Sequence, residues 1–277
     1  MKKDLVAILN DFPKIDLDQL NSSARFMERI ETKYLLDSEQ LKLFFKKALK
    51  HYYILQINDR LVFSYHNVYM DTQDYLFYHE HAALKDKRVK LRTRQYVNSK
   101  QTYFEFKQRE GKLIRKFRYE CDGNDHGKMT DEAHKFYAKL ITEFNSKHNK
   151  QLVSPSMATN YKRITLCSKN SDERVTIDFD LELKDLRNPK ARGKNLNHFA
   201  IIESKSSGKD CLSGKIMKEL EVKRAKNCSK YCLAVYYFKR SATRKTFEKT
   251  IKHIEKMKKK QIPTVKKATQ KLIPVAA

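Results

Sequence analysis

The stretch Arg88-Val-Lys-Leu-Arg-Thr-Arg-Gln-Tyr96 sets Lys90, Arg92 and Arg94 at every second position, with Val89 and Leu91 between them. Successive strand residues point to opposite faces, so this spacing predicts a strand with one cationic face and one apolar face. A single such strand is explained by a solvated sheet face. Here the pattern recurs. Glu28 to Leu36 places Arg29, Glu31 and Lys33 opposite Ile30, Tyr34 and Leu36. Thr102 to Gln108 sets Glu105 and Lys107 opposite Phe104 and Phe106, and Leu113 to Tyr119 sets Lys116 and Arg118 opposite Phe117 and Tyr119. Asn160 to Leu166 carries Tyr161 and Arg163 on one face, and Glu173 to Leu181 carries Arg174, Thr176, Asp178 and Asp180. Phe199 to Lys205 presents Glu203 and Lys205, and Ser229 to Tyr237 reads as a last strand with Lys230 near its start.

Ordinary wet faces are mixed with Thr, Ser and Gln, whereas these concentrate Arg and Lys, with carboxylates two residues from a cation. About eight such strands suit an α+β fold built on a closed antiparallel β-barrel tunnel. Surrounding helices would cover the apolar outer faces. The lumen would be basic, and its self-repulsion asks for a polyanion inside.

The chain of 277 residues carries a formal net charge of +26. From Lys239 onward, 13 Lys or Arg stand against 2 Glu, a net of +11, which leaves +15 for the rest, so the excess is not merely a tail. Apolar residues at 40% and aromatics at 11% describe a globular chain. No apolar run reaches the ~20 residues of a membrane span, and Asp4 and Asp11 interrupt the N-terminus where a secretory signal would be apolar. A cytoplasmic protein is expected. Five scattered cysteines argue against a disulfide framework, and Cys228 and Cys232 lack the second pair that zinc would need. His79 and His81 read as ordinary surface residues.

Helices are legible between the strands. Asp37-Ser38 caps one running from Glu39 to Lys50, and others are predicted over Asp131 to Lys147, Leu212 to Lys226, and Ser241 to Lys260. One domain over 1–240 followed by a basic helix and tail over 241–277 is the expected organisation, the extension recruiting product, an acidic partner or an anionic membrane surface. With 6 glycines and neither a Walker nor a Rossmann context around Gly208 and Gly214, phosphates must be held by side chains.

These segments together resemble the VTC domain, the polyphosphate polymerase module of the vacuolar transporter chaperone complex and its bacterial relatives, within the triphosphate tunnel metalloenzyme superfamily. The resemblance runs from about Arg25 to Tyr237. It is carried by Arg29-Ile-Glu-Thr-Lys-Tyr34, Val68-Tyr-Met-Asp71, Lys90-Leu-Arg-Thr-Arg94, Glu105-Phe-Lys107, Arg174 with Asp178, Glu203-Ser-Lys205 and Ser229-Lys-Tyr231. It implies a closed tunnel and transfer of the ATP γ-phosphate to inorganic polyphosphate. Arg92, Arg94, Lys107 and Lys230 would serve the chemistry, and Arg163 and Arg174, with Lys33, Lys90 and Lys116, would bind phosphate. Arg29, Arg118, Tyr161 and Lys205 share those faces and join the phosphate-binding set. Glu203 would hold Mn²⁺ or Mg²⁺, although the same carboxylate also suits a counterion for Lys205 or an arginine. Hydrolases of the superfamily carry Glu-x-Glu-x-Lys on the first strand; Arg29 stands at the first of those glutamates, which favours the polymerase branch. The phosphate-sensing SPX module and membrane anchor of the eukaryotic complex are not expected within these 277 residues. Two other readings stay open: a metal-dependent tripolyphosphatase or nucleoside triphosphatase, and a non-catalytic polyanion binder. Specific nucleic-acid recognition is not expected, because the aromatics fall mostly on the apolar faces.

Overall fold

The computed structural model describes residues 3–22, 30–111, 113–144, 151–208, 211–240 and 243–261. In chain order they form α1 (Lys3–Asn10), β1 (Lys14–Ile15), α2 (Leu17–Ser22), β2 (Ile30–Leu36), α3 (Ser38–Ala48), β3 (Tyr52–Leu55), β4 (Phe63–Asp71), α4 (Leu76–Ala82), β5 (Arg88–Tyr96), β6 (Thr102–Glu110) and β7 (Leu113–Cys121). There follow α5 (Asp131–Glu143), β8 (Ser154–Ser168), β9 (Arg174–Asp185), β10 (Lys194–Leu196), β11 (Ala200–Ser206), α6 (Leu212–Glu219), α7 (Lys230–Phe238) and α8 (Glu248–Gln261). Asp37 caps α3 as the sequence predicts: its carboxylate accepts from the Glu39 and Gln40 backbone while Gln40 reaches back to the Asp37 N–H.

Eight strands form one antiparallel path, β2-β11-β9-β8-β4-β5-β6-β7. Its ends, β2 and β7, do not pair, so the expected closed barrel is corrected to an open half-barrel. Closure needs the two edge strands to meet in register, and β7 stays largely exposed along its length. The charged β7 edge, with Arg115, Lys116 and Arg118, is one that resists pairing. An ion pair reaches across the opening, from Lys107 of β6 to Glu31 of β2 at 3.6 Å.

Alternation then sorts the side chains. Tyr34 and Leu36 of β2, Ile202 of β11 and Val175 and Ile177 of β9 pack outward against Leu9, Phe44, Phe45 and Ile216 of α1, α3 and α6. Val68, Leu91, Phe104 and Phe106 pack outward against Tyr137 and Ile141 of α5. The intervening positions face inward, including Leu35, Tyr69, Met157, Tyr161 and Ile201, which α7 and α8 cover. At Asp180, in the left-handed region at φ 52°, β9 gains a residue, so that two of its residues oppose Tyr161. Such a bulge sharpens the coil of a sheet.

The segment read as a last strand is therefore helix α7, lying across the inner face. Ser229 is its N-cap, accepting from the Cys232 N–H at 3.5 Å. Tyr231 to Val235 are buried, and a helix apolar all round shows no polar stripe from which its period can be read. No helix among the described residues is long and apolar enough to cross a membrane.

Candidate phosphate-handling site

The cations of the inner face are organised around carboxylates. On β6, Glu105 faces Arg92 of β5 in register. The Arg92 Nε and Nη2 reach Glu105 Oε2 at 2.7 and 2.6 Å, Lys116 of β7 reaches Oε1 at 2.5 Å, and Arg94 stands 3.9 Å away. Burial pushes the Glu105 carboxyl up, but Arg92, Arg94 and Lys116 outweigh it and hold it well below the usual carboxylate range. Arg94 is aimed by other partners, its Nε donating to Asn67 Oδ1 at 2.9 Å and its Nη2 to the Tyr161 hydroxyl at 3.4 Å.

A second group centres on Asp178 of β9. Arg163, its cross-strand neighbour on β8, grips it with a two-toothed fork at 2.6 and 2.8 Å, and Lys230, the first residue of α7, also donates to it. Burial raises the Asp178 pKa, yet Arg163 and Lys230 bring it down to about 2.

The third group joins β2, β11 and β6. Lys33 contacts Glu31 at 2.5 Å and Glu203 at 3.2 Å, while Lys205 meets Glu203 at 3.1 Å. Burial raises the Glu203 pKa, but Lys33 and Lys205 hold it well below the usual range. Lys90 stands apart: its ammonium donates to the Ser229 hydroxyl at 3.1 Å and makes no ion pair among the described residues. Burial pushes its pKa down to about 8, with repulsion from Lys33 and Lys107 in the same direction.

Nine of the expected cations thus converge: Lys33, Lys90, Arg92, Arg94, Lys107, Lys116, Arg163, Lys205 and Lys230. Four carboxylates, Glu31, Glu105, Asp178 and Glu203, lie among them, a surplus of five positive charges. Arg174 lies toward the margin, its Nη2 bound to the Leu20 carbonyl of α2 at 2.8 Å. Arg118 is exposed over the Tyr103 ring at 4.5 Å, and the Arg29 expectation lies outside the described residues.

Sequence reasoning placed Tyr161 on the cationic face but missed the two tyrosines beside it, Tyr65 and Tyr69. Tyr65, Tyr69 and Tyr161 face inward, with the Arg163 guanidinium 5.0 Å from the Tyr65 ring and the Lys230 ammonium 4.4 Å from that of Tyr161. Guanidinium and ammonium groups over tyrosine faces are held by cation–π attraction. Tyr69 and Tyr161 are buried, Tyr69 being stacked on Tyr231 of α7 at 4.9 Å, so neither offers a platform to a base. The signal for Tyr65 and Tyr69 lies in the odd-numbered positions of β4, but tyrosine also fits an apolar face.

A divalent cation can be tested against this donor set. Among the described residues no three His, Cys, Asp or Glu converge, which rules out a cage made by those side chains alone. Glu203 and Glu31, flanking Lys33, do fit a hard cation of the Mg²⁺ or Mn²⁺ kind, which is commonly held by one or two carboxylates and completed by substrate phosphates.

Comparison with known proteins adds the following. The VTC domain family model matches residues 28–239. A search of curated proteins finds no match. Among solved structures, one similar chain is a candidate adenylyl cyclase of Hippeastrum described as having a dominant triphosphatase activity, at 14% identity and a TM-score of 0.47, covering 76% of this chain and 96% of that one. A Pyrococcus horikoshii protein aligns at 13% identity and a TM-score of 0.39, covering 76% and 99%. A candidate adenylate cyclase of Vibrio parahaemolyticus aligns at 11% identity and a TM-score of 0.40, covering 74% and 97%.

Proposed function

The chain belongs to the VTC domain family, and on that premise we propose that its concave face binds the triphosphate of ATP and passes the γ-phosphate to the end of an inorganic polyphosphate chain. The observation that carries this reading is the surplus of five positive charges gathered by the inner sheet face and the start of α7, partitioned about three carboxylate centres. A row of phosphates is the ligand whose charge such a face complements. Arg92, Arg94 and Arg163 offer planar forks that match phosphate oxygens, and the lysines supply mobile point charges suited to a chain that must slide.

Phosphoryl transfer asks the protein for in-line placement and charge neutralisation rather than covalent help. A terminal oxygen of the acceptor chain forms the new bond to the γ-phosphorus as the bond to the β,γ-bridging oxygen breaks, and ADP leaves. Arg92 and Arg94, aimed by Glu105, Asn67 and Tyr161, meet the charge on the transferring oxygens without having to reorganise. A divalent cation, Mn²⁺ or Mg²⁺, would be held by Glu203 with Glu31 and would supply Lewis-acid neutralisation of phosphate oxygens. Arg29, at the place of a first-strand glutamate in the hydrolases, supports transfer to phosphate over transfer to water. The same reading puts the activity in the cytoplasm, with the basic C-terminal segment available to an anionic membrane or a membrane partner.

Incubation with ATP and Mn²⁺ or Mg²⁺, followed by electrophoresis of the acid-soluble phosphates, tests it. Long chains are expected. Free phosphate alone would assign a triphosphatase, and no turnover would assign a binding module.

A further inference from the structure

Helix α8 lies beyond the residues that the family model matches, and the concave site uses none of its side chains. Its apolar positions Ile251, Ile254 and Met257 are buried with α7. Lys249, Lys252, Lys256 and Lys259 are exposed and, at spacings of three and four residues, share the opposite face. Like charges at these spacings destabilise a helix. Little offsets them here: Glu248 stands 3.9 Å from Lys252, and Glu255 accepts instead from the Tyr237 hydroxyl at 2.7 Å. Lys249, Lys256 and Lys259 make no ion pair among the described residues.

Helix α8 is joined to the edge of the site by a strap over 222–227. The Ala225 N–H donates to the Lys33 carbonyl of β2 at 2.7 Å, and Tyr34 pairs with Arg224 as an isolated bridge. On its other side the Thr250 hydroxyl donates to the Lys226 carbonyl at 2.8 Å, and the Asn227 amide to the Thr246 carbonyl at 3.4 Å. Lys223 and Lys226 are exposed on this strap. The strap thus carries two exposed cations between β2, which bears Lys33, and α8.

We propose that the strap and α8 form an exosite for the phosphate chain, holding the part of a linear polyphosphate that extends beyond the concave face. The inference rests on the reading of that face as a phosphate-chain site. From Lys249 to Lys259 the helix spans about 15 Å, a single narrow row of cations opposite a polymer charged at every repeat. Lysine, a compact charge on a flexible stem, holds such a chain without fixing its register. The row carries no aromatic side chain, so a nucleic acid would find no stacking platform there.

The test is a full-length variant with Lys249, Lys252, Lys256 and Lys259 all changed to Gln. Binding of long-chain polyphosphate and of tripolyphosphate is measured across a salt series, with thermal unfolding as the control for folding. Affinity for the long chain should fall roughly ten- to a hundredfold at moderate salt, and the slope of log K against log salt should flatten by about three. Tripolyphosphate, too short to leave the concave face, should bind as it does to wild type. Unchanged long-chain affinity in a folded variant would overturn the exosite. So would single-stranded DNA of matched charge binding wild type equally well and losing as much, since the surface would then be a nucleic-acid site. Failure of the concave-face reading looks different: wild type would not bind tripolyphosphate, or Arg94→Ala would bind it unchanged.

Discussion

Replacing Asp178 by Asn keeps the shape of the side chain and removes the charge that holds Arg163 and Lys230 together. The Asp178 side chain is 3% exposed, so its interactions are little screened. Its pKa of about 2, against an ordinary aspartate value of about 3.9, corresponds to roughly 2–3 kcal/mol in favour of the charged form in the folded protein. Domains of this size shift by about 2–4 °C per kcal/mol, which puts the ligand-free variant about 4–12 °C below wild type. A depressed carboxylate pKa stabilises above the unfolded value and is lost as pH falls through the folded one. The wild type should therefore surrender this contribution between about pH 4 and about pH 2, and the variant should not. Tripolyphosphate reverses the deficit on the present account, because a bound anion replaces the missing carboxylate between Arg163 and Lys230. The assay is thermal unfolding with and without tripolyphosphate at neutral pH. The variant should start lower and gain more from the anion than wild type does. Equal starting stability, or a smaller gain, would refute the reasoning that Asp178 is a counterion which phosphate displaces.

Three further perturbations probe separate parts of the site. With Lys90 and Lys116 each brought by burial to a pKa of about 8, kcat/KM should decline above about pH 8 as their charges are lost, and changing both to Arg should remove that limb; an unchanged profile in the double variant would exclude both from contact with substrate. Glu203→Gln should raise the concentration of Mn²⁺ or Mg²⁺ needed for half-maximal activity, whereas an unaltered requirement would leave Glu203 as a counterion of Lys33 and Lys205 alone. Arg94→Ala should lower turnover by about 10² or more, and because it strands Asn67 and Tyr161 it should also cost about 1–3 kcal/mol in denaturant unfolding; full activity would displace Arg94 from the transferring phosphate.

The cationic faces of β2, β5, β6, β7, β8, β9 and β11 were legible because a period of two survives in any strand that has one apolar side. Openness of the barrel was not, since it depends on whether β2 and β7 meet, and no local pattern records a pairing between distant edges. Helix α7 was misread for a related reason. Its buried run Tyr231-Cys-Leu-Ala-Val235 fits a central strand as well as a helix covered on all sides. The carboxylates Glu31, Glu105 and Asp178 were visible on the right faces, yet their service as counterions follows from cross-strand register, as in Arg92 opposite Glu105 and Arg163 opposite Asp178.

The most direct test of phosphate transfer to a chain is a single-turnover reaction of ATP labelled at the γ-phosphorus with an unlabelled long polyphosphate acceptor and a divalent cation. The products are then digested from the chain end by an exopolyphosphatase. The account predicts that the label joins the long chain and is released first, in step with ADP formation. Label that appears only as free phosphate, with the acceptor untouched, would contradict it.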